Sequence, residues 1–271
     1  MRSSASAYRS SASLISRQPS GSSQPAGPVA GDESGRARML SDRAGMILGM
    51  TAQPVTDVIL EIGKKRVFAC AAAWPGWCRS GRSEELALET LAAYLPRYAP
   101  VARLAGLALP PGAADAFAVT ERLPGTAGYT DFGAPGEIAA GDYCPLAADE
   151  AGRMAALVQA SWVTFGGVAR AAPAELRKGP PGGGRDTDQI VEHVIGAEAS
   201  FARKIGFRHR RPAAGDEPAI AAMRAAIIEA LGHASAQTAP TPGGWPARYA
   251  ARRIAWHVLD HAWEIEDESE A

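Results

Sequence analysis

Long apolar runs are missing from this chain. No stretch approaches the roughly 20 residues a helix needs to span a bilayer. The longest early candidate, residues 44–50, also lacks the arrangement of a secretory signal. A membrane partner is therefore not expected. Net charge is missing too: 28 Lys and Arg against 29 Asp and Glu give −1, which supplies no general attraction to nucleic acid or anionic lipid. Cysteine is scarce. Cys70, Cys78 and Cys144 show no CxxC spacing and leave an odd count, so they read as reduced thiols in a cytoplasmic protein and not as a disulfide frame. Only five histidines occur, and their placement is what stands out.

Along the last helical segment, Arg252 to Asp267, the positions that share one face are Ile254, His257, Val258, His261, Ala262 and Ile265. Two imidazoles thus sit one turn apart in an apolar stripe. Burying one unpartnered polar ring costs about 1–3 kcal/mol, so the pair needs a partner. A buried carbonyl or carboxylate would serve. So would a metal, because an i, i+4 pair directs two nitrogens at one point. A third imidazole has the same setting: over Asp186 to Ile205 the inward face is Ile190, His193, Val194, Ala197, Phe201 and Ile205. His209 and His233 lie in or beside polar segments. His193, His257 and His261 are the predicted metal ligands, for zinc, nickel or ferrous iron. Glu192, Asp260 and Glu264 flank them and are the candidates for acid–base or supporting roles.

Residues 1–50 are rich in Ser, Arg, Gly and Pro, with no acidic residue before Asp32, and read as a disordered leader. An organellar transit peptide and an over-extended start, with translation beginning at Met39, Met46 or Met50, both account for that composition. A β-hairpin is predicted over Asp57 to Ile62 and Arg66 to Ala73, around Gly63-Lys64-Lys65. A Pro75-Gly76 turn follows. Ser83 then N-caps a helix with Ala87, Leu88, Leu91, Leu95 and Tyr98 on one face, kinked or ended by Pro96 and Pro100. One more strand is predicted over Phe117 to Leu123. Residues 124–145, rich in Gly and Pro, read as a domain linker. Four amphipathic helices are expected after it: about 147–171, 186–205, 217–231 and the last one, beginning after Pro246. Arg177, Lys178 and Arg185 lie in a glycine-rich loop that leads into the 186–205 helix. They are candidate anion or cofactor contacts, although a solvated linker explains them equally.

Two resemblances attach to these residues. The hairpin, Pro75-Gly76, Gly81, Ser83, Glu85 and Ala87 make 56–123 similar to the small HicB-like antitoxin fold, which implies a protein partner. One histidine in the 186–205 helix plus His257-x-x-x-His261 makes 146–267 resemble the DinB-like superfamily, including its thiol-dependent isomerases and S-transferases. That resemblance implies a divalent metal on three protein ligands with coordination positions left open, and with it a low-molecular-weight thiol. The expected fold is a small α+β N-terminal domain followed by an all-α up-down four-helix bundle.

The expected function is a metal-dependent S-transferase, isomerase or hydrolase that activates a thiol or water against a small electrophile. The alternative is a non-enzymatic protein that binds a partner through 56–123, with the helices as a metal-stabilised scaffold. A homodimer is compatible with either.

Overall fold

The computed structural model describes residues 55–178, 184–208, 210–233 and 243–269; the expected leader and His209 lie outside them. Strand β1 (Thr56–Ile62) turns at Gly63 into β2 (Val67–Ala71), and β2 pairs in turn with β3 (Cys78–Gly81). The hairpin follows from alternating Val, Ile and Phe, closed by the Gly63 amide donating to the Arg66 carbonyl at 2.9 Å. Helices α1 (Glu84–Ala93) and α2 (Leu95–Leu104) then lead to β4 (Phe117–Pro124), which joins β1 in parallel. The sheet order is β3-β2-β1-β4. Ser83 caps α1 by accepting from the Leu86 amide, and Glu84 and Glu85 occupy its first turn. Pro96 stands in the first turn of α2, where a missing N–H costs nothing. The apolar stripe from Ala87 to Tyr98 is therefore carried by two helices.

Beyond β4 the glycine-rich stretch is tied to the sheet. The buried Glu61 carboxylate accepts from Thr130 Oγ1 at 2.5 Å and from the amides of Gly136 and Glu137 at 2.9 Å. A short 3-10 turn, Ala140–Tyr143, brings buried Asp142 to Arg252 in a bidentate pair. Four helices complete the chain: α3 (Ala148–Ala171), α4 (Thr187–Lys204), α5 (Glu217–Gly232) and α6 (Ala247–Ser269).

This corrects the expected fold class. The described residues hold a four-stranded mixed sheet and six α-helices in an α/β arrangement, in place of a small α+β domain followed by an all-α bundle. The reason lies in the packing of α3 and α6. Leu157, Ala160, Leu259 and Trp263 are buried in the same apolar cluster as Val58, Leu60, Trp77 and Tyr98. Ile254, Val258 and Ile265 of α6 meanwhile pack with Val158 of α3 and with α4 and α5. Both helices therefore serve the sheet and the other helices at once, and Ala52–Ala271 form one unit. Gly76 makes the contact close: its φ is +96°, and a Cβ there would lie 2.6 Å from Leu259 Cδ1.

The thiol reading is also corrected. Cys70 and Cys78 are register partners on β2 and β3 and form a disulfide, while Cys144 is free and exposed. Strand register brought the pair together, which a search for CxxC spacing does not test. Among the described residues no helix is long and apolar enough to cross a membrane.

Candidate metal centre

Helix α6 is buried on almost every side, and that is what puts His257 and His261 indoors: they are 7% and 8% exposed. Helix α4 is capped by Asp186, whose amide donates to Gln189 Oε1 at 3.0 Å, while Thr187 Oγ1 donates to the Pro173 carbonyl. Ile190, Val194 and Ile195 anchor α4 in the core. His193 rides at the edge of that face, exposed, against α6.

The three imidazoles converge. His193 Nε2 and His257 Nε2 are 3.1 Å apart, and one nitrogen from each of the three rings falls within 4.8 Å of the others. Corners of a tetrahedron built on metal–nitrogen bonds of about 2.0–2.1 Å lie roughly 3.3 Å apart, so the His193–His257 spacing suits two ligands of one ion. Protonation states fit as well. Although His193 is exposed as a residue, its ring is partly desolvated where it packs against the other two imidazoles; that desolvation, then the neighbouring His261 and Arg185, lowers it to about 4. Burial, then His261 and Arg253, holds His257 well below the usual histidine range. Neutral imidazole is the form that binds metal.

Glu264 supplies the supporting contact expected of such a site. Its Oε2 lies 2.5 Å from His261 Nδ1, leaving Nε2 as the ring's other nitrogen. Arg185 donates to both Glu264 oxygens at 3.2 Å. Burial opposes ionisation of Glu264, but the His261 hydrogen bond and Arg185 outweigh it and the carboxyl is held below its usual range. On the far side of the cluster Phe201 meets His257 edge-on, with ring centroids 5.4 Å apart.

Of the residues singled out in the sequence, the structure gathers His193, His257, His261, Glu264 and Arg185. It sends the others elsewhere. Asp260 pairs with Arg79 of β3 at 2.9 Å. Arg177 pairs with Glu268, and Lys178 with Asp186. Glu192 is exposed, and its carbonyl accepts from Arg211. His233 Nδ1 lies 2.9 Å from the Glu229 carbonyl of its own helix.

Sequence reasoning missed Arg253 and the aromatic wall of Trp245, Tyr249 and Trp256. Arg253 is 9% exposed and stacks over Trp256 at 4.6 Å and Phe201 at 5.5 Å. The available signal was its position one turn before His257 on a helix whose inward arc is wider than a single stripe. No protein-family model, characterised protein or solved structure matches this chain.

Proposed function

We propose that this is a divalent-metal protein in which His193, His257 and His261 hold the ion, and that it acts as an enzyme on a small electrophilic substrate. The observation that carries the reading is the convergence of three imidazole nitrogens, one of whose rings is fixed by a carboxylate. An ion there would supply Lewis acidity toward a small thiol or a water, which makes thiol transfer, isomerisation or hydrolysis the candidate reactions. The similarity to DinB-like thiol-dependent enzymes, drawn from His193 and His257-x-x-x-His261, favours the thiol.

The protein's own groups have separable parts in this reading. Glu264 orients His261 and holds the proton on its Nδ1. Arg185 holds Glu264 ionised and is the one cation of its loop beside the cluster. Phe201 shields His257 from water, while exposed His193 leaves the open side of the site facing solvent.

The HicB-like alternative has less support. Trp74 and Trp77, the tryptophans that flank its Pro75-Gly76 turn and would be candidate contacts for a partner, are buried at 8% and 0%. The cytoplasmic setting inferred from reduced thiols loses that argument to the Cys70–Cys78 disulfide.

The deciding experiment is metal analysis of the full chain after reconstitution with zinc, nickel or ferrous ion, followed by a thiol-consumption assay with a chromogenic electrophile. One ion per chain, lost in each single His→Ala variant of the three and kept in His233→Ala, is the expected result. A wild-type chain that stays metal-free ends the proposal.

A further inference from the structure

The Cys70–Cys78 disulfide joins β2 to β3, and no part of the proposed metal chemistry uses it. Its place in the fold is unlike that of a structural staple. The two cysteines are eight residues apart, and the entropy a cross-link removes from the unfolded chain grows only with the logarithm of the loop it closes. That short loop is already closed without it. Val67 pairs with Gly81, Phe68 with Ser80 and Ala69 with Arg79 along the same ladder. The Ala71 amide donates to the Trp77 carbonyl at 2.9 Å, and the Trp77 amide to the Trp74 carbonyl at 3.0 Å. Trp74 and Trp77 then seal the turn in the core. Folding therefore sets Cys70 opposite Cys78 whether or not the sulfurs are bonded. Two thiols held face to face oxidise as an intramolecular pair, at high effective concentration.

The reduced pair has room as well. Bonded sulfurs stand about 2.05 Å apart, whereas two thiols must separate to full van der Waals contact. Cys70, Cys78 and Trp256 line a cavity of about 30 Å³, enough for a small group to shift into. Access to the two sulfurs is unequal. Cys78 is 4% exposed and clusters with buried Phe68 and Trp256, while Cys70 keeps part of its surface toward solvent.

We infer that Cys70 and Cys78 form a reversible dithiol–disulfide couple, with Cys70 the site at which a low-molecular-weight thiol exchanges. The inference does not rest on the metal-centre reading. In the reducing direction a small thiolate attacks Cys70 Sγ, the Sγ–Sγ bond breaks, and its electron pair leaves on Cys78. A second thiolate attacks the small-molecule sulfur of the mixed disulfide and releases Cys70. Both protein thiolates take up a proton. Two small thiols are thereby oxidised to one small disulfide, and the protein disulfide is reduced to two thiols. The reverse sequence oxidises the pair, with Cys78 resolving the mixed disulfide on Cys70.

The test equilibrates full-length protein in mixtures of 2-mercaptoethanol and its disulfide, from reducing to oxidising. Each sample is quenched with acid, unfolded, alkylated and mapped by peptide mass spectrometry, with the free and exposed Cys144 as internal control. All three cysteines should be alkylated at the reducing end and Cys144 alone at the oxidising end. The transition should retrace itself in the opposite direction, with circular dichroism unchanged throughout. In Cys78→Ser the small disulfide should cap Cys70 readily; in Cys70→Ser it should cap Cys78 roughly tenfold more slowly, because apolar burial makes a thiol inert. A pair that stays bonded in the reducing mixture until the chain unfolds is a permanent cross-link, and a pair that stays alkylatable in the oxidising mixture never forms one. Either result overturns the inference, as does loss of the circular dichroism signal on reduction. Equal capping in the two variants would remove Cys70 as the point of exchange. The wild-type mapping needs no variant to fold.

Discussion

At the scale of single residues the proposed site depends on aiming three imidazoles at one point, two of them, His193 and His257, held below the usual histidine range. Glu264 fixes His261 by a 2.5 Å contact, and contacts of this kind are typically worth about 10–100-fold in metal affinity. Glu264→Gln should therefore raise the zinc dissociation constant by roughly that factor without unfolding the chain, measured by competition with a chromogenic chelator. His193 gives a prediction for pH. Its value falls from 6.5 to about 4 on folding, so between those limits the unfolded chain binds more protons than the folded one. The metal-free protein should be fully stable above about 6.5, lose stability as pH falls toward 4, and level off below, as far as His193 is concerned. The urea midpoint at pH 7, 5 and 4 checks this, and His193→Gln should flatten the slope; an unchanged slope would remove His193 as its source.

At the scale of elements, α6 decides the architecture, and its sequence disclosed only part of that role. The 3.6-residue period made Ile254, His257, Val258, His261 and Ile265 legible as one face, and the grouping of His193 with His257 and His261, which the structure brings within 4.8 Å of one another, was legible with it. The second face, Leu259 and Trp263 against the sheet, was masked because Arg252 sits within it and Asp260 at its edge. Those charges are accommodated by Asp142 and Arg79, neither of which periodicity can assign. Strand β3 was hidden by its length of four residues, between a turn and a helix cap. The Cys70–Cys78 pair went with it. Leu259 is fully buried beside Gly76, so Leu259→Ala should cost about 2–5 kcal/mol. A denaturant midpoint within error of wild type would show that this face of α6 is not packed as described.

At the scale of the whole molecule, the question is whether the helices can stand without the sheet. The pattern of residues 146–267, taken alone, predicts a bundle that folds by itself, with 124–145 as a slack linker. In the folded chain 124–145 is fastened through Glu61 and through Asp142–Arg252, and the sheet covers Leu157, Ala160, Leu259 and Trp263. A fragment of 146–271 would expose those four side chains together. Burial of one large apolar side chain contributes about 1.5–3 kcal/mol, and a domain's net stability is only about 5–15 kcal/mol. Losing several such contacts is therefore comparable to the whole margin. The fragment should show a broad, low-temperature melt by circular dichroism and bind a hydrophobic dye, where residues 52–271 melt cooperatively. Zinc should partly rescue it, because His193, His257 and His261 all lie within the fragment, and an ion held only by the folded state adds about 2.7 kcal/mol at one hundred times its dissociation constant. Rescue lost in His257→Ala would trace it to the centre itself. A zinc-free fragment that melts as sharply and as high as 52–271 would mean that the shared core contributes little, and that the two halves are joined only by chain.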